Sequence, residues 1–269
     1  GISLQDAARA SIINNTIADN DSTATVGLAF AGNPNQSAPL PAGVVSYQHS
    51  SNLLAAIGTG IGLPFSDFSN PVLVNDIILD NRSFHWQVNA ATGEGSLVFD
   101  NVNDLAVLGA TGQLNPLSCV LTDVNTGYDG TNILVANSAS VFVAPYFNGA
   151  PGVGFNGNPL PTDIATTLIL AAAEVAEGGN FIDVRYGPLS LNTVPPSNYH
   201  LLPGSPAIDR GSSVYVTQFA ELQTDIDGQP RPSSGGVVTL AATTSAPGVD
   251  VGADQTLPLD TDADGVPDY

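Results

Sequence analysis

Short apolar runs broken by Asn or Asp recur along this chain, and none is long enough to bury its own face. ASIINNTIADN (10–20), PVLVNDIILDNRSF (71–84), GSLVFDNVNDLAVLG (95–109), LSCVLTDVNTG (117–127) and TNILVANSASVFVAPYF (131–147) share one design. Each has a β-branched or aliphatic run, an Asn or Asp, a second apolar run and then a polar turn. The spacing is roughly 20–25 residues where nothing intervenes, a solenoid-like period. Units this small gain a core only by stacking on one another. Stacked Asn side chains at the corners can hydrogen-bond to those above and below, which accounts for Asn inside apolar surroundings. The reading is all-β, a solenoid; the alternative is a β-sandwich of irregular strands.

Composition agrees with many short strands and tight turns: 28 Gly and 20 Pro, with abundant Asn, Ser, Thr, Val and Ile. Lysine and methionine are absent, and five arginines face 25 acidic residues, giving a formal charge of −20. Such a surface repels phosphates and anionic lipid, so neither nucleic acid nor membrane insertion is expected, while bound cations are. No stretch reaches the roughly 18–20 apolar residues that span a bilayer. The start, GISLQDAARAS, has no basic-then-apolar leader. An acidic, lysine-free, Asn/Thr/Gly-rich chain suits an extracellular or cell-surface location. Cys119, the single cysteine, sits in the apolar run PLSCVL and reads as a small buried hydrophobe. Two Pro/Gly-rich intervals interrupt the pattern as lateral insertions: 31–70, with one short helix around Val44–Ile57, and 148–180, where TLILAAAEVAE offers a helical turn or two.

Residues 199–211 read YHLLPGSPAIDRG, followed by TDIDGQPRP (224–232) and VDVGAD (249–254). Together and in this order they resemble the closing segment of bacterial secreted right-handed parallel β-helix proteins of the pectate-lyase-like type, whose ordinary rungs INNTIADN and VNDIILDNRSF also resemble. The resemblance covers most of residues 10–254. It implies a right-handed parallel β-helix over 1–254 with the two insertions, a closing segment at 199–254, and an acidic linker or tail at 255–269. Pro203, Pro206, Pro230 and Pro232 remove donors and fix turns, so the ending reads as a structural cap that stops another strand pairing with the last rung. In that cap Asp209 accepts backbone N–H groups or pairs with Arg210 or Arg231. The functional alternative makes Asp209, Asp225, Asp227 and Arg231 an active site.

The last ten residues, DTDADGVPDY, carry a different signal. Asp260, Asp262 and Asp264 alternate, Gly265 follows, and Asp268 falls at the ninth position, matching the first nine places of an EF-hand-type calcium loop. The stretch resembles the aspartate repeats of thrombospondin type 3 modules, which implies calcium held by Asp260, Asp262, Asp264 and Asp268. The acid of position 12 would lie beyond Tyr269, so binding is expected to be weak.

β-Helices of the family resembled often cleave polysaccharides, with paired acids or with a base beside calcium. Without lysine that chemistry falls to the arginines and His49, His85 or His200. Arg82 and His85 in NRSFHW, with Trp86 as a sugar platform, are the best cluster; the plainer reading pairs Arg82 with an acid such as Asp80 and half-buries Trp86. The preferred reading is non-enzymatic: a structural or adhesive surface protein that could serve as a filament or matrix component. The alternatives are a polysaccharide lyase or hydrolase, and a carbohydrate-binding module with Trp86, Tyr47 and Phe68 as its platform. Ice binding lacks its regular Thr-x-Thr ladder. About nine residues precede the first rung, too few to cover an apolar stack. The N-terminal end is therefore expected to meet a neighbouring subunit or an upstream part of the same polypeptide. Asn14, Asn20, Asn35 and Asn81 stand in glycosylation sequons, a number that chance explains in so Asn-rich a chain.

Overall fold

The computed structural model describes residues 1–24, 27–58, 65–93, 95–122, 127–145, 198–232 and 248–256. Strands dominate, and most of their pairings are parallel. A first pass of the chain lays down β1 (Ile2–Leu4), β2 (Ser11–Ile13), β3 (Thr16–Ala18) and β4 (Asp21–Ser22). A second pass lays β5 (Val44–Tyr47), helix α1 (Ser51–Gly58), β6 (Val72–Val74), β7 (Ile77–Leu79) and β8 (Arg82–Val88). Each strand of the second pass pairs in parallel with its counterpart in the first, with Ile2 opposite Val44, Ile12 opposite Leu73, Ile17 opposite Ile78 and Asp21 opposite Arg82. After the antiparallel hairpin partner β9 (Gly95–Val102), a third pass adds β10 (Leu105–Leu108), β11 (Pro116–Leu117) and β12 (Val120–Leu121) to three of these sheets. β13 (Ile133–Leu134) extends the β3–β7–β12 sheet, and β14 (Phe142–Ala144) pairs antiparallel with β15 (Asn198–Leu201).

The corners explain the sequence pattern. Between β2 and β3, β6 and β7, and β11 and β12, the chain turns at Asn14, Asn75 and Ser118, with φ of 58°, 56° and 51°. Asp19 and Asp80 do the same after β3 and β7, at 56° and 54°. Asn and Asp tolerate this left-handed region better than other non-glycine residues. INNTIADN and VNDIILDN are therefore the same two-cornered unit written twice. The residue after each corner points at its neighbour one level away. Asn20 Nδ2 donates to Asn81 Oδ1 (2.7 Å), and Asn81 Nδ2 donates to Asp104 Oδ1 (2.9 Å) and to the Ile17 carbonyl (2.9 Å). At the other corner Asn15 N–H donates to Asp76 Oδ1 (2.8 Å), the Asp76 N–H meets Cys119 Sγ (3.4 Å), and Cys119 N–H donates to Asn132 Oδ1 (2.9 Å). The expected stacking of polar side chains is thus present, and Cys119 is fully buried as expected, filling a place in the second series.

Sheet β3–β7–β12 is covered on both faces. Ile17, Ile78 and Leu121 join one apolar cluster with Ile12, Val44, Phe68 and Leu73, while Ile77, Leu79 and Val120 join another with Val141, Phe142, Leu201, Ala207 and Val251. Two-sided burial is why β7 reads as a continuous apolar run rather than an alternating one. Each fully buried Ile or Leu there contributes about 1.5–3 kcal/mol.

Several expectations need correction. Val44–Tyr47 is a strand between β1 and β10, not the start of a helix; the helix begins at Ser51 because Ser50 Oγ accepts the Leu53 N–H (3.3 Å). The interval 31–70 thus supplies a central strand as well as an excursion. Stacked corners stand 61, 43 and 13 residues apart rather than at an even 20–25, because loops leave between strands. GSLVFDNVNDLAVLG divides between β9, folded back on β8, and β10. The closing segment lies along the flank of the β3–β7–β12 sheet. Asn75 exchanges two hydrogen bonds with the Ser212 backbone (2.8 and 2.7 Å), Gly252 N–H reaches the Asn75 carbonyl (2.7 Å), and Ala253 N–H reaches Thr16 Oγ1 (3.1 Å). Residues 148–180 lie outside the described residues.

Candidate functional site

Arg82 and His85 of NRSFHW are each paired with a different acid. Arg82 donates twice to Asp21, both at 2.7 Å, joining β8 to β4; its partner is Asp21, not Asp80. Asp80 instead accepts the Ser138 N–H, closing a corner. His85 Nδ1 lies 2.8 Å from Asp100 Oδ2 across the β8–β9 hairpin. Trp86 is half-buried, as read, and lies so close over Gly95 that a Cβ there would stand 1.9 Å from the indole. Of the aromatic platform, Phe68 is a core residue at 6% exposure, while Tyr47 and Trp86 are half-buried. Two sequons are closed to glycans in the folded chain, since Asn14 and Asn81 are buried.

The three closing motifs converge at one point. β15 presents His200, the tight 224–230 turn presents Asp227, and the 248–256 segment presents Asp254; one ligand atom from each lies within 4.8 Å of the others. The turn is centred on Asp225, whose Oδ1 accepts the N–H groups of Asp227 (2.9 Å) and Gln229 (2.7 Å) and whose Oδ2 accepts that of Gln255 (3.0 Å). Arg231 is buried and donates to the carbonyls of Ala253 (2.7 Å) and Gly252 (3.0 Å), clamping the 248–256 segment. Asp209 accepts the Gly248 N–H (2.5 Å), the backbone role expected of it, and Arg231 is not its partner. Asp209 and Arg231 are therefore structural, and Asp225 shapes the turn.

His200 Nδ1 lies 2.5 Å from Asn198 Oδ1, which also accepts the His200 N–H at 2.9 Å and is thereby fixed as an oxygen. Nε2 lies 2.6 Å from Asp227 Oδ2. Both partners are acceptors, so with nothing else present both ring nitrogens carry protons. The hydrogen bond to Asp227 raises the His200 pKa above the usual imidazole value, burial opposes it, and the charges of Asp254, Asp227 and Asp225 add to the rise. Asp254 Oδ2 accepts the Leu201 N–H (2.7 Å). Among the described residues no hydroxyl or thiol hydrogen-bonds to His200, so the group is not a nucleophile–base pair. Its three ligand atoms lie close enough together that they could hold a metal ion. Sequence reasoning had its parts, since the ordered motif trio was noted, but not their meeting point, because their separation along the chain conceals it.

Asp260, Asp262, Asp264 and Asp268, the expected calcium ligands, lie outside the described residues. No described helix is long and apolar enough to cross a membrane. In comparisons with known proteins the chain matches no family model, no curated protein and no solved structure.

Proposed function

We propose that this is a right-handed parallel β-helix, secreted or held at a cell surface, that serves as a structural or adhesive component rather than an enzyme. One observation carries the reading: β1, β2, β3 and β4 are all outer members of their sheets, each paired on one side only among the described residues. Unpaired parallel edges at one level are a template for another chain, and natural proteins cover them. Beside them an apolar groove of about 360 Å³ is lined by Ile2, Ile17, Ala18, Tyr199 and Ile226, with Ile226 60% exposed. A neighbouring subunit, or an upstream part of the same polypeptide, pairs there. The engagement of Arg82 with Asp21 supports the non-enzymatic side of the proposal.

Sedimentation across a concentration series tests it. Self-association is expected, and Ile226→Asp should weaken it at least about ten-fold, the worth of one large apolar side chain at an interface. A monomer at all concentrations, or turnover of a uronate polymer that Arg82→Ala or His85→Ala abolishes, would overturn it.

Calcium at Asp260, Asp262, Asp264 and Asp268 belongs to the same proposal. The alternating carboxylates with a turn glycine suit calcium, at an affinity of about 10⁻⁴–10⁻³ M as in extracellular modules. Calorimetry should show binding that Asp262→Ala/Asp264→Ala removes; no binding at millimolar calcium sinks this part.

A further inference from the structure

We propose that His200, Asp227 and Asp254 form a binding site for a divalent transition-metal ion, zinc by its donor set, which pins β15, the 224–230 turn and the 248–256 segment together. Imidazole nitrogen and carboxylate oxygen are both zinc donors, and three protein ligands leave a fourth position for water, whereas calcium and magnesium prefer oxygen throughout. In tetrahedral coordination with bonds of about 2.0–2.1 Å, neighbouring ligand atoms stand about 3.3 Å apart. His200 Nε2 and Asp227 Oδ2 are 2.6 Å apart, and all three ligand atoms fall within 4.8 Å. The two that must part are the more exposed ones, with side chains 45% and 43% exposed, while Asp254 accepts the Leu201 N–H.

The outer contacts are those a metal-bound histidine uses. Nδ1 meets Asn198 Oδ1, so when that nitrogen keeps the proton the Nε2 lone pair faces the carboxylates. Asp225 lies in the same field as Asp227 and Asp254 around His200, and Asp225, Asp250 and Asp254 surround Arg231, leaving acid in excess of cation. A divalent ion offsets that excess, and it joins three segments far apart in sequence that otherwise meet through hydrogen bonds.

The test uses the full chain and zinc chloride alone, followed by calorimetry and by competition with a chromophoric chelator. One zinc per chain is expected, with Kd below about 10 µM. His200→Ala and Asp227→Asn should each weaken it at least about ten-fold, and the positioning variant Asn198→Ala by about ten-fold. Cobalt(II) should give visible bands of a four-coordinate site that His200→Ala abolishes. Zinc should raise the unfolding midpoint of the wild type and not of His200→Ala, with circular dichroism showing that the variant folds. Zinc binding should be unchanged in Asp262→Ala/Asp264→Ala, which separates this site from the proposed calcium tail. No binding at about 100 µM zinc, or binding that His200→Ala leaves unchanged, overturns the proposal.

Discussion

Asn81 shows what a single side chain does in this molecule. It is fully buried, accepts from Asn20, and donates to both the Ile17 carbonyl and Asp104, so one amide ties three levels of chain. An amide can do this because it accepts and donates at once, and this series ends on the Asp104 carboxylate, which only accepts. Asn81→Ala strands three polar partners away from water and should cost about 2–4 kcal/mol in urea unfolding. Asn81→Asp should cost more at pH 8 than at pH 5, because it sets a second carboxylate against Asp104. Equal loss at both pH values would show that repulsion from Asp104 matters little.

At the scale of elements, the β4–β8 pair depends on a charge. Asp21 is 2% exposed at its side chain and its carboxylate is held by the two Arg82 donors. Arg82→Ala takes two charged donors from a buried carboxylate and should destabilise, by up to about 3–5 kcal/mol. Arg82→Lys should recover only part, since an ammonium cannot reproduce the fork. Amide exchange should rise first in β4 and its β8 partners. The double variant Arg82→Ala/Asp21→Ala should be more stable than Arg82→Ala; if it is not, the burial of Asp21 carries less weight than argued.

Over the whole molecule the buried acids set the response to pH. Burial raises Asp19 to about 7, Asp76 to about 8, and Asp104 and Asp250 to about 6, with hydrogen bonds opposing in each case. These groups hold protons in the folded state that the unfolded chain releases near pH 4. Their contribution is therefore complete below about pH 4 and is lost as pH rises through the folded values, between about 6 and 8. Relief of repulsion in a chain at −20 acts in the same direction. Urea unfolding should give a stability at pH 5 above that at pH 8 by on the order of a few kcal/mol. Asp76→Asn should flatten the upper part of that slope. Stability that rises over this range would contradict the assignment of buried, protonated carboxylates.

What the sequence determined by itself is local. Short apolar runs ending in Asn-Asn, Asn-Asp or Asp-Asn dictate three-residue strands and left-handed corners, since few other residues tolerate that backbone, and the recurrence of the unit demands stacking. The burial of Cys119 and the stacking of the corner residues were legible for the same reason. Partners were not. Arg82 stands near Asp80 in sequence but meets Asp21 because parallel pairing sets residue 82 beside 21, a register fixed by loops of unequal length. Val44–Tyr47 became a strand because β1 and β10 flank it, which local propensity does not reveal. His200, Asp227 and Asp254 meet only because the closing segment runs along the flank of the sheet, burying Leu201, Ala207 and Val251 on Ile77, Leu79 and Val120. Contacts between distant segments follow from how apolar faces find cover, and that was decided by the tertiary structure alone.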